Sequence, residues 1–358
     1  MVTTNFFGLE HLPIEFAAGA ALTGWGLAYS ELAPTIYSGG DLHYAVPRIK
    51  NNKIVFGPDI SGGSYGVGAT YILLSKLIGN VTPRKVIIGF RHETIGAVSG
   101  APPVFGTSPA NNTTTSAGFL PLKTTAATPL PDGYYEIIFD FVASTYTVMF
   151  NGGVYTAATS LGSSGLTAAN FKTNFWTIGH PYTVWFTPAV DVFAISDIYS
   201  MVSIDPADDA LIKPLGPITL KRLPVLSTTG AGYTPPGGSN IVDALNTRRA
   251  ATASLSAPKV GVAADNTPLR VKVDASSLSF VTVRGISVKV AAVKDVAGDK
   301  TLSVALASNG TTNASVPVTM TAAAAPLDAS PGGLLTMPDG SGLTIASLSN
   351  LEVVLTPA

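Results

Sequence analysis

Hydrophobic and polar positions alternate most strictly between Tyr134 and Tyr155. Tyr135, Ile137, Phe139 and Phe141 fall on one face of the first run, and Glu136 and Asp140 on the other. Tyr146, Val148 and Phe150 repeat the period of two against Thr145, Thr147 and Asn151. Aromatic and β-branched residues at this period predict half-buried antiparallel strands. Asn151-Gly152-Gly153 supplies residues that tolerate positive φ, so the two runs form a tight hairpin that continues into a third strand.

Other stretches carry weaker versions of the same signal. Lys85 to Arg91 reads as a buried strand, and Ala45–Pro47 and Lys53–Gly57 as short strands around Asn51-Asn52. Thr70 to Leu77 is apolar and fits either a strand or a turn or two of helix. Residues 175–179, 182–186 and 190–197 read as three further strands, after a polar turn region at 156–173. Residues 60–68 are Gly- and Ser-rich and read as a loop or a bulged edge. Residues 98–130 form a long Pro/Thr/Asn/Ala-rich excursion, with Phe105 and Phe119 as anchors.

A second alternating block fills residues 259–358. Leu269, Val271 and Val273 alternate with Arg270, Lys272 and Asp274; Ile286, Val288 and Val290 follow, then Leu302, Val304 and Leu306, Val316, Val318 and Met320, and finally Leu351, Val353 and Leu355. Gly298-Asp299 and Asn309-Gly310 mark hairpin turns. About seven short strands in about a hundred residues fit a small sandwich. The expected organisation is all-β: a large sandwich over 1–228, a Gly/Pro/Ser-rich connector over 229–258, and a smaller β-sandwich over 259–358. Arg248-Arg249 in that connector reads as exposed linker rather than as a phosphate site.

Composition narrows the function. Charged residues make up 12% of the 358 and the net charge is −1. A near-neutral chain without a basic cluster argues against nucleic acid as a partner. With no cysteine, disulfides, thiolate metal sites and thiol catalysis are excluded, which fits folding in a reducing cytoplasm. No basic segment precedes the apolar stretch 16–29, so no secretory signal is expected; that stretch is also too short to span a bilayer.

Candidate chemistry is sparse. Glycoside cleavage needs two carboxylates flanking one bond. The nearest pair, Glu136 and Asp140, stands four residues apart on one strand face, roughly 13 Å between Cβ atoms at the usual rise. Both read as solvent-facing strand residues. His11, His43, His92 and His180 are scattered, without metal-ligand spacing. Asp132, Asp191, Asp197 and Asn151 lack the acidic-loop spacing of a calcium site. No catalytic residue, metal or cofactor is expected. Trp176, Tyr182 and Trp185 are the candidates for a sugar-stacking platform, although strand aromatics more commonly build core or interface.

The aromatic strand, short turn and Tyr-x-Val-x-Phe-Asn-Gly run resemble the central strands of concanavalin A-like, or laminin-G-like, jelly rolls. Phe175-Trp-Thr-Ile-Gly179 and Val190-Asp-Val-Phe-Ala-Ile-Ser-Asp197 resemble later strands of the same domain, so the likeness covers roughly residues 5–225. Other segments resemble a group of bacteriophage virion proteins: Phe7-Gly-Leu-Glu-His11, the connector Gly216–Leu226, and Gly232-Tyr-Thr-Pro-Pro-Gly-Gly-Ser-Asn240-Ile-Val-Asp243. Tyr233 stands where that group commonly has Trp. Residues 288–306 and the closing LSNLEVVL continue the likeness. The resemblance implies a non-enzymatic virion structural protein, assembled in the host cytoplasm and released by lysis. Its place would be capsid decoration, neck, or tail and fibre. The competing class is a lectin-like module that recognises host glycans.

Other virion proteins are the expected partners. A homo-oligomer is expected too, because apolar sheets need their edges covered and few Lys or Glu residues are spaced to guard them. A free N-terminal arm would leave Phe6, Phe7, Leu9, Leu12 and Ile14 poorly covered. Closed cyclic symmetry is the usual outcome, and a trimer follows by analogy with viral appendages. The C-terminal sandwich or the N-terminal segment would make the attachment.

Overall fold

A computed structural model describes residues 2–7, 35–36, 48–50, 53–56, 65–66, 70–95, 104–108, 130–162, 164–179, 185–186, 193–235, 237, 239–247, 260–262, 267–279, 282–288, 290–292, 298–320, 327–329 and 333–358. The chain is all-β and divides into two compact units, with the boundary between Leu220 and Lys221. Among the described residues no helix is long and apolar enough to cross a membrane.

The first unit is a jelly-roll sandwich. Its strands are β1 (Thr3–Phe7), β2 (Arg48–Lys50), β3 (Lys53–Phe56), β4 (Thr70–Leu73), β5 (Lys85–Thr94), β6 (Val104–Ser108), β7 (Gly133–Asp140), β8 (Thr145–Phe150), β9 (Gly153–Ser160), β10 (Phe175–Gly179) and β11 (Phe193–Ser203). The main sheet runs in the order β9-β8-β7-β5-β11-β1, antiparallel throughout. β3 pairs with the first part of β11, and β2 with β3. A second sheet sets the pair Thr35–Ile36, then β4, β10 and β6, in that order. Thr70–Leu77 resolves as both of its readings: strand to Leu73, then a short helix α1 (Leu74–Ile78).

The predicted central hairpin is present. Asn151 (φ 48) and Gly152 (φ 84) are both left-handed, the geometry whose twist matches the flanking strands. Val86, Ile88 and Phe90 of β5 stand opposite Phe139, Ile137 and Tyr135 of β7, and this face is buried. Trp176 of β10 packs on Phe90 at 5.0 Å, and Phe171 on Phe139 at 5.0 Å. Each such ring taken out of water contributes roughly 1.5–3 kcal/mol. Phe141 lies one residue past the strand, yet it stacks on Phe139 and meets Phe171.

The main sheet's other face is also covered, by residues 212–220. Ile212 and Ile218 join Phe6, Ile87, Tyr134, Tyr199 and Met201 in one cluster. Glu136, read from the alternation as solvent-facing, is 1% exposed beneath this segment. The alternation reports the two faces of a strand; it does not report what a segment eighty residues away lays over one of them.

The second unit is built on β12 (Val225–Thr229), β13 (Leu269–Val273), β14 (Lys300–Ser308), β15 (Val316–Met320) and β16 (Leu351–Pro357). They run in the order β12-β13-β16-β14, with β15 outside β14. Leu269, Val271, Val304, Leu306, Leu351 and Leu355 centre its core. The stretch expected to be a connector has structure of its own. Tyr233–Thr234 pairs with Gly261–Val262, and the Tyr233 hydroxyl donates to Thr267 O at 2.7 Å. A helix α2 (Ile241–Asn246) is N-capped by Asn240, whose Oδ1 accepts from Asp243 N at 2.7 Å.

Candidate functional site

Among the described residues, a dense set of buried polar groups lies on the covered outer face of the main sheet. β11 makes it possible by a bulge. Ser196 faces Arg91 and Tyr199 faces Gly89, so three steps of β11 oppose two of β5. Asp197 takes φ 51 at this bulge, and its carboxylate meets Arg91 Nε at 2.8 Å. Arg91 Nη2 donates to Ile218 O at 2.9 Å, and Leu220 N donates to Asp197 Oδ1 at 2.9 Å. The guanidinium lies 5.6 Å above the Tyr134 ring, and the Tyr134 hydroxyl donates to Asp197 O at 2.9 Å.

One strand position along, the Tyr199 hydroxyl donates to Glu136 Oε1 and accepts from Leu215 N at 3.2 Å. Gly216 N donates to the same Glu136 oxygen at 3.0 Å. Burial, and then the nearby Glu136 carboxylate, push the Tyr199 phenol far above its ordinary range, so it stays a neutral donor. Burial raises Tyr134 likewise, ahead of the charges of Tyr199 and Glu136. Gly89 is what lets Tyr199 lie flat here: a Cβ on it would stand 2.0 Å from the ring.

Four main-chain groups of residues 215–220 are thus held by four side chains of the sheet. The arrangement is a clasp. Glu136 is sealed from solvent and Asp197 is consumed by an arginine and an amide. Asp140, the other carboxylate of the candidate pair, is engaged elsewhere. It accepts from Val142 N at 3.0 Å and Ala143 N at 2.9 Å, and meets Lys85 at 3.1 Å. Against burial, which would raise it, the Ala143 amide, Lys85 and the Val142 amide hold its carboxyl below the ordinary range.

The aromatic platform expected from the sequence is not assembled around Trp176, which is 0% exposed and packed on Phe90. It is a core residue and offers no ring face to a ligand. Trp185 stands opposite Gly66 in a two-residue ladder, and Tyr182 lies outside the described residues. A different aromatic group occurs at the β7–β8–β9 end of the sheet. Tyr135 is buried, while Phe150 and Tyr155 are half-buried, with rings 5.7 Å apart and inclined at 52°. The strand alternation placed Tyr135 and Phe150 on their strands, with Tyr155 at the end of the same stretch, but burial separates Tyr135 from the other two.

His11, His43, His180 and Asp191 lie outside the described residues. His92 is buried at the end of β5. Asn151 Oδ1 accepts from Tyr134 N at 2.9 Å and Asp132 Oδ1 from Thr94 N at 2.7 Å, so these two oxygens have structural duties. Among the described residues no group of three His, Asp or Glu could hold a metal ion.

No family model and no curated protein matches the chain. Among solved structures, a sialidase aligns at 12% identity and a TM-score of 0.29, over 49% of this chain and 17% of that one. The chain therefore spans under a fifth of the sialidase's length. A tandem of CBM22 domains from Paenibacillus barcinonensis Xyn10C aligns at 7% identity and a TM-score of 0.20, over 100% of this chain and 98% of that one. At these scores neither likeness carries an argument about function, and the fold stands on the sheets themselves.

Proposed function

We propose that the chain is a non-enzymatic structural protein of a bacteriophage particle, acting through contacts with other virion proteins and with copies of itself. The observation that carries this reading is the clasp. Of the candidate hydrolytic pair, Glu136 is spent on fastening residues 215–220, as is Asp197 beside it, and Asp140 is held by Lys85 and two amides. A scaffold whose buried polar groups hold its own chain together suits a part that must persist inside an assembly. The resemblance of residues 7–11, 216–226, 232–243, 288–306 and the closing LSNLEVVL to virion proteins supports a place in the particle. A homo-oligomer, a trimer by the analogy above, belongs to the same reading. Quantitative mass spectrometry of gradient-purified particles tests it: the chain is expected at a copy number fixed by particle symmetry, and its absence from washed particles overturns the reading.

A second reading, host-glycan recognition, draws on Phe150 and Tyr155, which are half-buried beside Tyr135. Aromatic rings at a sheet end serve sugar contacts well. Titration against a glycan array tests it, with Tyr155→Ala expected to abolish any binding; silence across the array removes this reading and leaves the first intact.

A further inference from the structure

Large apolar side chains stand out in water at one end of the main sheet. Phe141 N donates to Arg84 O at 2.9 Å and Arg84 N to Ser203 O at 2.8 Å, so residues 141, 84 and 203 form one rung across the ends of β7, β5 and β11. The residues that follow two of them, Val142 and Ile204, are 59% and 51% exposed. A short 3-10 helix, Pro206–Leu211, presents Leu211, 60% exposed. Asp209 pins that helix to the same rung. Its carboxylate accepts from Arg84 Nη2 at 2.9 Å and from Ser203 Oγ at 2.7 Å.

The charge around these side chains is acidic. Asp209 pairs with Arg84, and Asp140 with Lys85. The 3-10 helix adds Asp205 at its N-cap and Asp208 in its first turn, and Lys213 follows it. The whole unit has the same sign. Residues 1–220 carry 10 Lys and Arg against 14 Asp and Glu, a net charge of −4. Residues 221–358 carry 11 against 8, a net charge of +3.

The second unit offers a counterpart. Leu226, at the bulge of β12, is 59% exposed, and its neighbours Val225 and Ser227 stand opposite Val273 and Lys272 of β13. The half-exposed Arg270 and Lys272 share one carboxylate, Glu352, at 3.1 and 4.0 Å. An exposed leucine thus lies beside two cations that have a single anion between them.

We propose that copies of the chain associate head to tail, the acidic end formed by Val142, Ile204 and Leu211 of one copy receiving Leu226, Arg270 and Lys272 of the next. The inference rests on the self-association in the reading above and names its surfaces. Opposite net charges draw unlike units of two copies together and hold like units apart. The apolar side chains, covered together, supply the non-directional attraction. A contact between two different surfaces of one chain closes into a ring when its rotation returns on itself, and otherwise grows into a fibre.

Sedimentation of the full chain tests this, from about 1 to about 100 μM and at about 50 and about 500 mM salt. The mass is expected to rise with concentration and fall with salt. Asp208→Lys and Lys272→Glu, each checked for folding by circular dichroism, are expected to associate about tenfold more weakly alone. Mixed, they are expected to associate again, because a mixed pair joins the intact acidic end of one variant to the intact basic patch of the other. A monomeric wild type, variants that associate as the wild type does, or a mixture no stronger than either variant overturns the proposal. If a charge variant does not fold, Leu226→Ser decides, with the same loss expected and unchanged association overturning the contact. Presence in particles is read separately: a monomeric chain at a fixed copy number there refutes this contact and leaves the virion reading standing.

Discussion

Gly89 and Tyr199 show how closely the outer face is fitted. A methyl group at position 89 would overlap the Tyr199 ring and press on the Tyr134 hydroxyl as well. Gly89→Ala is therefore expected to cost about 1–3 kcal/mol, the usual range for overpacking, read as a lower urea midpoint. Tyr199→Phe keeps the ring but strands the Leu215 amide and leaves Glu136 with Gly216 as its remaining donor. Its expected cost is about 1–3 kcal/mol, again from urea titration, and a change under a few tenths would mean the clasp carries no load. Asp140 gives a pH signature. Its carboxyl is held below the ordinary range, so the stability it adds is present above about pH 4 and lost as pH falls through the folded-state value. The stability gap between wild type and Asp140→Asn should be open at neutral pH and close in acid; a gap that persists in acid would assign the effect to packing.

Edges are the issue among elements. The sequence lacks charges to guard them, which argued for a covering subunit, yet the strands carry other devices. β9 is an end strand with Val154 65% exposed, and its register to β8 shifts twice, so two bulges twist it. β12 has a bulge at Leu226, and Asn246 caps Val225: its Oδ1 accepts from Val225 N at 2.7 Å and its Nδ2 donates to Val225 O at 2.9 Å. β15 carries Pro317. These edges need no subunit to blunt them, and Phe6 and Phe7, expected to be poorly covered, are buried in β1; apart from the paired patches above, the case for an oligomer rests on the resemblance. Asn246→Ala removes both bonds and is expected to cost about 1–2 kcal/mol and to raise self-association, measured by sedimentation; an unchanged sedimentation profile with unchanged stability would contradict the capping role.

Local alternation carried most of this level. The central hairpin and the second unit's strands β13 to β16 follow a period of two, β5 is a short apolar run, and each lies where that signal put it. Glu136 and Trp176 did not follow, for one physical reason. A period assigns a residue to a face, whereas burial depends on what distant chain covers that face, here residues 212–220 and the second sheet. The bulge at Asp197 was equally hidden, because a single extra residue in one strand leaves no mark in composition.

At the scale of the molecule the sandwich positions its polar groups inward, as fasteners. The structural role proposed above draws on this: Glu136 and Asp197 face residues 215–220, whereas the carboxylates of a glycoside hydrolase face substrate. Imaging of particles carrying a small label at Ala358, the exposed end of β16, tests this account most directly. The label is expected at symmetry-related positions on every particle. Unlabelled particles, with the tagged chain confined to the lysate, would contradict it.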